Sequence, residues 1–220
     1  MRTPAAVLWD MDGTLLDSEK LWDIPLHEFA EERGGTLSPA TRQRIIGSNL
    51  PTTMGILFDE VGLQATPEGL EEGGRWLLAR TEEVFREGLP WRPGAQEALR
   101  AVRDAGVPMA LVTSTDRRLT EVALDTLGRD LFDVTVCGDE VEGRNKPLPD
   151  PYLKAARLLG AEPERCVAVE DSPTGTRSAV AAGCTVLVVP CEIPVPQGER
   201  RVFRESLIGV DAVVLAELLG

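Results

Sequence analysis

Histidine is almost absent from this chain, since His27 is the only one among 220 residues. A Ser-His-Asp or Cys-His catalytic arrangement would have to use that residue. His27 lies in a helical pattern far from any serine or cysteine motif, which favours a structural role for it. Proton transfer in any reaction at this protein's site is therefore expected to depend on carboxyl groups.

Paired cysteines are also missing. The four cysteines, Cys137, Cys166, Cys184 and Cys191, form no C-x-x-C motif. Most of them stand in apolar, strand-like segments, as small core residues of a protein from a reducing compartment do. The cysteine pattern therefore indicates neither a zinc site nor a disulfide framework.

Long apolar runs are lacking as well. The first one covers five residues before it stops at Asp10, and no later run approaches the length of a membrane span. We therefore expect a cytoplasmic protein with no membrane partner. Because hydrophobic residues still make up 43% of the chain, we expect a sizeable core.

Basic residues are outnumbered by acids. The chain has 23 lysines and arginines against 36 aspartates and glutamates, and its formal net charge is −13. Such a field repels nucleic acids and anionic membranes. We therefore expect no nucleic-acid partner and a monomeric protein whose ligand is a small molecule. A phosphorylated metabolite would bind only where a metal and local donors overcome the field.

Two aspartates end the first apolar segment, which runs from Ala5 to Trp9. Such a run predicts a buried strand of a parallel sheet, and ligands of these sheets collect at the carboxyl ends of the strands. Asp10 stands at that end and Asp12 follows two residues later. Gly13 allows the chain to turn sharply there, so both acids are expected to face one pocket.

The rhythm of the remaining chain predicts two structural units. Four helices are predicted first, over 18–32, 39–46, 51–61 and 67–87, and the glycine- and proline-rich stretch 88–94 ends this pattern. Strands and helices then alternate. The strands are predicted at 107–112, 134–137, 166–169 and 185–189, the helices at 95–105, 116–127, 150–159 and 173–182, and a short apolar run follows at 212–215.

This pattern predicts an α/β fold, a doubly wound, Rossmann-like parallel sheet with a small all-helical cap domain. The catalytic core is expected to comprise residues 1–16 and 88–220. The cap domain, residues 17–87, leaves and rejoins the core near Asp10 and Asp12, where it could act as a lid.

Four predicted strand ends carry polar clusters. These are Asp10 with Asp12, Thr113-Ser114-Thr115, the segment from Gly138 to Lys146, and Glu170-Asp171. Each cluster alone could be a helix cap or a solvated loop. Their coincidence at successive strand ends favours one shared site. Two carboxylates ~4 Å apart repel by about 4 kcal/mol at an effective dielectric constant of ~20, so a cation is needed among them, and hard oxygen ligands favour Mg²⁺.

The residues at these strand ends resemble the four ordered motifs of the haloacid dehalogenase superfamily. The matching segments are Asp10-Met11-Asp12-Gly13-Thr14-Leu15, Val112-Thr113-Ser114, Lys146-Pro147-Leu148-Pro149-Asp150 and Val169-Glu170-Asp171-Ser172. A helical insert after the first motif is similar to the phosphatase and β-phosphoglucomutase-like branch of that superfamily.

The resemblance implies a covalent mechanism. Asp10 would be the nucleophile that forms an aspartyl phosphate, and Asp12 would be the general acid and then the general base. Lys146 would offset the negative charge of Asp10 and of the phosphate. Because dehalogenases lack the second acid of the first motif, Asp12 argues for phosphoryl transfer.

The resemblance also implies binding roles. Gly13, Thr113 and the Ser114 amide would hold the phosphoryl group. Mg²⁺ would be bound by the side chains of Asp10 and Asp171, the backbone carbonyl of Asp12, and Glu170.

Within this branch, the interpretation favours a phosphatase over a phosphosugar mutase of the β-phosphoglucomutase type. Such mutases carry a histidine and an arginine in the cap at the places that Trp22 and Leu50 occupy here. The basic cap groups that would grip a second phosphate are thus missing. A non-catalytic regulator with the same fold is a further alternative, which the intact acids disfavour. Candidate substrate contacts in the cap are Glu19, Trp22 and Asn49, with Arg75, Trp76 and Arg80 as weaker ones.

Overall fold

The apolar segments that end in polar residues become the strands of one parallel sheet. In the computed structural model, which describes residues 3–220, the strands are β1 (Ala6–Trp9), β2 (Met109–Val112), β3 (Val134–Val136), β4 (Cys166–Glu170), β5 (Thr185–Val188) and β6 (Arg201–Phe203). They pair in the order β3-β2-β1-β4-β5-β6, and every neighbouring pair is parallel. The first strand is therefore central, and the strand order reverses beside it, where such sheets form their binding crevice.

Four helices follow β1 and form the cap. They are α1 (Glu19–Glu32), α2 (Pro39–Ile45), α3 (Leu50–Glu60) and α4 (Pro67–Arg86). Ser38, Asn49 and Thr66 cap the last three of them, because each side chain accepts a hydrogen bond from a backbone N–H three residues later. A proline stands at the first or second position of each of these helices. The cap has its own apolar centre, which includes Phe29 and Leu57.

The remaining helices pack on the two faces of the sheet. They are α5 (Ala95–Asp104), α6 (Arg117–Leu127), α7 (Asp150–Leu158), α8 (Pro173–Ala182) and α9 (Ala212–Glu217). Alternate residues of the buried strands point to opposite faces, so Val7 and Trp9 belong to one apolar cluster and Ala6 and Leu8 to the other. This arrangement confirms the predicted doubly wound core with a helical cap.

The two ends of the cap segment run side by side. The Asp17 N–H donates to the Pro90 carbonyl at 2.8 Å, and the Arg92 N–H donates to the Leu15 carbonyl at 2.9 Å. The chain thus enters the cap a few residues after Asp12, and the returning segment pairs with that point of departure. The exact domain division, 1–16 with 88–220 against 17–87, stays a prediction, and its first two residues lie outside the described part of the chain.

Two elements lie where the sequence analysis assigned neither a helix nor a strand. The apolar run at 212–215 lies in helix α9, and the edge strand β6 was not predicted at all. Half-exposed Arg201 and Phe203 flank exposed Val202 in that strand, which is why no buried apolar run marks it. Within residues 3–220, no helix is both long enough and apolar enough to cross a lipid bilayer.

Candidate active site

Asp10 lies directly after the central strand, and it is buried with 6% of its surface exposed. The next turn depends on Gly13, whose φ of +81° is in the left-handed region. A Cβ atom on Gly13 would lie only 2.3 Å from Oδ2 of Asp171. The glycine therefore lets the first motif approach the acid that follows strand β4.

The two carboxylate oxygens of Asp10 have different surroundings. Oδ1 accepts a hydrogen bond of 2.7 Å from Lys146 Nζ, whereas Oδ2 is buried and has no hydrogen-bond partner among the described residues. Burial, together with the charge of Glu170 and against the attraction of Lys146, raises the pKa of Asp10 to about 7. Oδ2 is thus an orphaned acceptor that suits a cation or an incoming electrophile.

Asp12 is held by four donors. Oδ1 accepts from Ser18 Oγ at 2.6 Å and from Trp22 Nε1 at 3.2 Å. Oδ2 accepts from Thr115 Oγ1 at 2.7 Å and from Thr113 Oγ1 at 3.3 Å. One oxygen is therefore held by the start of the cap segment and the other by the loop after β2.

Lys146 joins three strand ends. Its buried ammonium donates to Asp10 Oδ1 at 2.7 Å, to the Val112 carbonyl at 2.9 Å and to Glu170 Oε1 at 2.7 Å. Burial opposes its charge, yet the two carboxylates outweigh that cost and raise the pKa of Lys146. The ammonium therefore stays charged between the two acids.

Glu170 is fully buried and accepts five hydrogen bonds. Oε1 accepts from Lys146 and from the Tyr152 hydroxyl, each at 2.7 Å. Oε2 accepts from the Asp171 and Ser172 amides and from Ser172 Oγ, at 3.1 to 3.3 Å. Glu170 thereby holds in place the Lys146 ammonium that also binds Asp10.

A divalent cation fits the acids at this edge. One oxygen each of Asp10, Glu170 and Asp171 lies within 4.8 Å of the others, and all three residues are buried. Burial, followed by the charges of Asp10, Glu170 and Glu19, raises the pKa of Asp171 well above its ordinary range. A bound cation would give Asp10 Oδ2 a partner and would offset the negative charge of Asp171. Because all of these ligand atoms are oxygens, they suit a hard cation.

The loop after β2 brings the second predicted cluster to the same edge. The Thr113 hydroxyl accepts a hydrogen bond of 3.0 Å from the Thr115 amide, which fixes the turn. Gly138 passes so close that a Cβ there would lie 2.0 Å from the Ser114 carbonyl oxygen. Thr113 and Ser114 line the pocket together with Asp10, Asp12 and Lys146.

The cap closes the other side of this pocket. Its contribution includes Glu19, Trp22, Arg42, Ser48, Leu50, Thr53, Leu77 and Leu78. Trp22 lies between the core and the cap, with its ring edge-to-face against Phe85. The cap also gives the pocket one basic residue, Arg42, which stands at neither of the places where the mutases carry their histidine and arginine.

The other cap candidates lie elsewhere. Asn49 is not among the pocket-lining residues and serves as the N-cap of α3, where Oδ1 accepts from the Thr52 amide at 3.0 Å. Arg75 pairs with Glu71 on the exposed face of α4. Arg80 pairs with Glu28 and Glu83, and Trp76 packs edge-to-face against Phe29. These four residues have structural contacts that account for them.

Sequence reasoning missed three residues that shape the site, namely Ser18, Arg42 and Tyr152. Thr115 was part of a predicted polar cluster but was given no role, and the structure places its hydroxyl on Asp12. Tyr152 stands two residues after the third motif, so a wider motif window would have included it. Ser18 stands at the start of a predicted helix, yet among the described residues its side chain makes no capping hydrogen bond and binds Asp12 instead. Arg42 has no local signal, because only the tertiary fold brings α2 to the pocket.

Comparison with known proteins agrees with this geometry. The family model described as haloacid dehalogenase-like hydrolase matches residues 4–183. Phosphorylated carbohydrates phosphatase from Thermotoga maritima is 36% identical over 182 residues, which is 81% of this chain and 81% of that protein. Hexitol phosphatase A from Escherichia coli is 34% identical over 189 residues, covering 85% and 84%.

A solved structure gives the same result. CbbY from Rhodobacter sphaeroides in complex with phosphate aligns with a TM-score of 0.86 at 27% identity, covering 96% of this chain and 99% of that one. The motif-based resemblance is therefore confirmed. The chain belongs to the haloacid dehalogenase-like hydrolases, in the phosphatase and β-phosphoglucomutase-like branch, and is a phosphoric monoester hydrolase.

Proposed function

We propose that this chain is a Mg²⁺-dependent phosphatase that hydrolyses a phosphate monoester of a small metabolite through an aspartyl phosphate on Asp10. The observation that carries the proposal is the state of Asp10. One oxygen is fixed by Lys146 at 2.7 Å, and the other is buried with no hydrogen-bond partner among the described residues. A second carboxylate, Asp12, follows two residues later in the chain. A nucleophile and an acid–base group so arranged suit a two-step displacement at phosphorus.

In the first step, a carboxylate oxygen of Asp10 attacks phosphorus and the bond from phosphorus to the ester oxygen breaks. Protonated Asp12 gives its proton to the departing alkoxide, which leaves as an alcohol. In the second step, Asp12 takes a proton from water, which attacks phosphorus and displaces the Asp10 carboxylate. Inorganic phosphate leaves, and both acids return to their starting states.

The surrounding residues position and neutralise the phosphoryl group. The Thr113 hydroxyl and the Ser114 amide would bind its oxygens, with Gly13 allowing the close approach of the first motif. Lys146 offsets the charge that Asp10 and the phosphoryl group share, and Glu170 holds Lys146 in place. Mg²⁺, when held by Asp10, Asp171, the Asp12 backbone carbonyl and Glu170, would supply electrostatic stabilisation of the transferring group.

The cap is proposed to act as a lid over this edge. Its segment, residues 17–87, is hinged at the paired connections near Leu15 and Pro90, and the pocket is lined from both sides. Closure would exclude bulk water and complete the set of donors on Asp12. The names of the relatives support a phosphorylated sugar or polyol as the substrate class.

A phosphosugar mutase of the β-phosphoglucomutase type is the alternative, and one assay separates the two. The protein is incubated with β-glucose 1-phosphate and a catalytic amount of β-glucose 1,6-bisphosphate, and both glucose 6-phosphate and free phosphate are followed. We expect free phosphate from monoesters, dependent on Mg²⁺ and abolished by Asp10→Asn. Accumulation of glucose 6-phosphate without phosphate release would identify a mutase instead.

A further inference from the structure

The cap side of the pocket has an apolar part and a polar part. Leu26, Ile45 and Leu77 belong to the apolar part, whereas Glu19, Arg42 and Ser48 are polar. The mechanism proposed above uses none of these residues. A substrate whose phosphate lies at Asp10 would extend towards these residues, so they can distinguish one ester from another.

Glu19 and Arg42 form the principal polar feature on the cap side of the pocket. Arg42 Nη2 donates to Glu19 Oε2 and to the Glu19 carbonyl oxygen, each at 2.9 Å, and Arg42 Nε binds Asp23. The side chains of Glu19 and Arg42 are only 7% and 13% exposed. The attraction of Glu19 and Asp23 outweighs the burial that opposes the charge, so the pKa of Arg42 is raised. The pair is therefore fixed before any ligand arrives.

Glu19 and Arg42 each have one polar atom that is available to bind a ligand. Within residues 3–220, Arg42 Nη1 donates no hydrogen bond and Glu19 Oε1 accepts none. Neither atom is among the buried, unsatisfied ones, so both remain open to solvent. A fixed donor beside a fixed acceptor matches a pair of hydroxyl groups, because each hydroxyl both donates and accepts.

The net charge of Glu19, Asp23 and Arg42 does not favour binding of a second phosphate. Glu19 and Asp23 contribute two negative charges and Arg42 one positive charge, which leaves the group at −1. Arg42 is thus already neutralised, and a phosphate dianion placed beside Glu19 would meet a like charge. This repulsion between like charges would weaken the binding of an ester that carries a second phosphate there.

From this arrangement we infer that the Glu19–Arg42 pair determines specificity, by binding hydroxyl groups of an uncharged polyol or sugar tail and by rejecting esters that carry a second phosphate there. This inference rests on the proposed phosphatase function of the same pocket. It concerns substrate choice and leaves the order of bond breaking unchanged.

The test measures kcat/KM for fructose 6-phosphate, fructose 1,6-bisphosphate and n-hexyl phosphate, with p-nitrophenyl phosphate as a generic ester. In the parent protein, fructose 6-phosphate is expected to exceed each of the other two alkyl esters by about tenfold or more. In Glu19→Gln, which keeps the shape but removes the charge, the preference for the monophosphate over the bisphosphate should fall about fivefold or more. A ratio within a single variant cancels any loss of turnover common to both esters.

A second variant tests the hydroxyl contacts. Glu19→Gln with Arg42→Met leaves no buried charge between the two positions, so it protects the fold, and it should lower the preference for fructose 6-phosphate over n-hexyl phosphate about fivefold or more. Glu31→Gln is the matched control, because it makes the same chemical change on an exposed part of α1. Both ratios should stay at the parent values in this control.

The possible failures are distinguishable. A parent protein that hydrolyses no phosphate ester contradicts the proposed function itself. A parent that hydrolyses p-nitrophenyl phosphate but shows no preference among the alkyl esters overturns only the specificity inference. Ratios that change less than fivefold in both pocket variants overturn it as well.

Discussion

The indole N–H of Trp22, on the first helix of the cap, donates a hydrogen bond of 3.2 Å to Asp12 Oδ1, the carboxylate proposed as acid and base. Ser18, from the same segment, donates to the same oxygen at 2.6 Å. The two donors on the other oxygen, Thr113 and Thr115, come from the core. The cap thereby contributes directly to the orientation of a core carboxylate.

This relationship makes Trp22→Phe informative. The substitution keeps an aromatic ring against Phe85 but removes the donor to Asp12. We expect turnover of glycerol 3-phosphate to fall about tenfold to a hundredfold, since a hydrogen bond to a charged group contributes about 1.5 to 3 kcal/mol. The first turnover of p-nitrophenyl phosphate should fall less, because nitrophenolate leaves without protonation. Stopped-flow and steady-state kinetics measure the two losses.

Trp76→Phe provides the matched control for that variant. Trp76 packs in the cap against Phe29 and is not among the pocket-lining residues. Its substitution should leave the ratio of the two rates unchanged. Equal losses on both esters in Trp22→Phe would mean that Trp22 supports packing alone.

Lys146→Met should destabilise the metal-free protein strongly. It leaves Asp10 and Glu170 as buried like charges without the shared ammonium. Loss of one partner from a buried ion pair costs about 3 to 5 kcal/mol, which urea unfolding would measure. A second substitution, Glu170→Gln, should restore part of that stability without restoring activity. Unchanged stability in Lys146→Met would contradict the charge balance described for the site.

Mg²⁺ should both activate and stabilise the protein. Chelation by EDTA is expected to abolish phosphate release, and Mg²⁺ should restore it better than Ca²⁺, whose looser coordination misplaces the reacting groups. At 100 times the dissociation constant, a bound ion adds about 2.7 kcal/mol, or roughly 5 to 10 °C in Tm. Asp171→Asn should remove most of this shift, whereas Asp104→Asn on an exposed helix end should not. Full activity in EDTA would contradict the proposal.

The stability of Glu19→Gln relative to the parent should depend on pH. Burial, against the attraction of Arg42, raises the pKa of Glu19 above its ordinary 4.5. The folded parent therefore binds a proton that the unfolded chain has released, so its stability falls as the pH rises from 4.5 through the raised pKa. Glutamine does not titrate. In thermal unfolding from pH 4 to pH 8, the Tm of the variant relative to that of the parent should rise by a few °C, since 1 kcal/mol corresponds to about 2 to 4 °C. A difference in Tm that stays constant over this pH range would contradict the prediction.

The sequence was informative wherever the relevant signal is local. Short-range patterns predicted the strand before Asp10, the alternation of strands and helices after residue 94, and the four helices of the cap domain. The observed elements match these predictions closely. The clustering of Thr113, Lys146 and Asp171 could also be predicted, because carboxyl ends of parallel strands share one edge of a sheet.

The cap side could not be predicted in the same way. Asn49 was predicted to contact the substrate, yet its side chain caps α3. Arg42 reaches the pocket only because the tertiary fold brings α2 within hydrogen-bond distance of α1, and its partner Glu19 is 23 residues away in the chain. The short strand β6 escaped prediction because its three residues, one arginine and two partly exposed apolar residues, form no buried apolar run.

The identity of Asp10 as the nucleophile is the central claim, and trapping of the phosphoenzyme tests it most directly. Asp12→Ala removes the base that activates water but leaves Asp10 intact, and p-nitrophenyl phosphate needs little protonation of its leaving group. With Mg²⁺ and this ester, intact-mass spectrometry should show Asp12→Ala gaining one phosphoryl group, which peptide mapping places on Asp10. The double variant with Asp10→Asn should gain none. If Asp12→Ala gains no mass, or if the group remains after Asp10→Asn, the account is wrong.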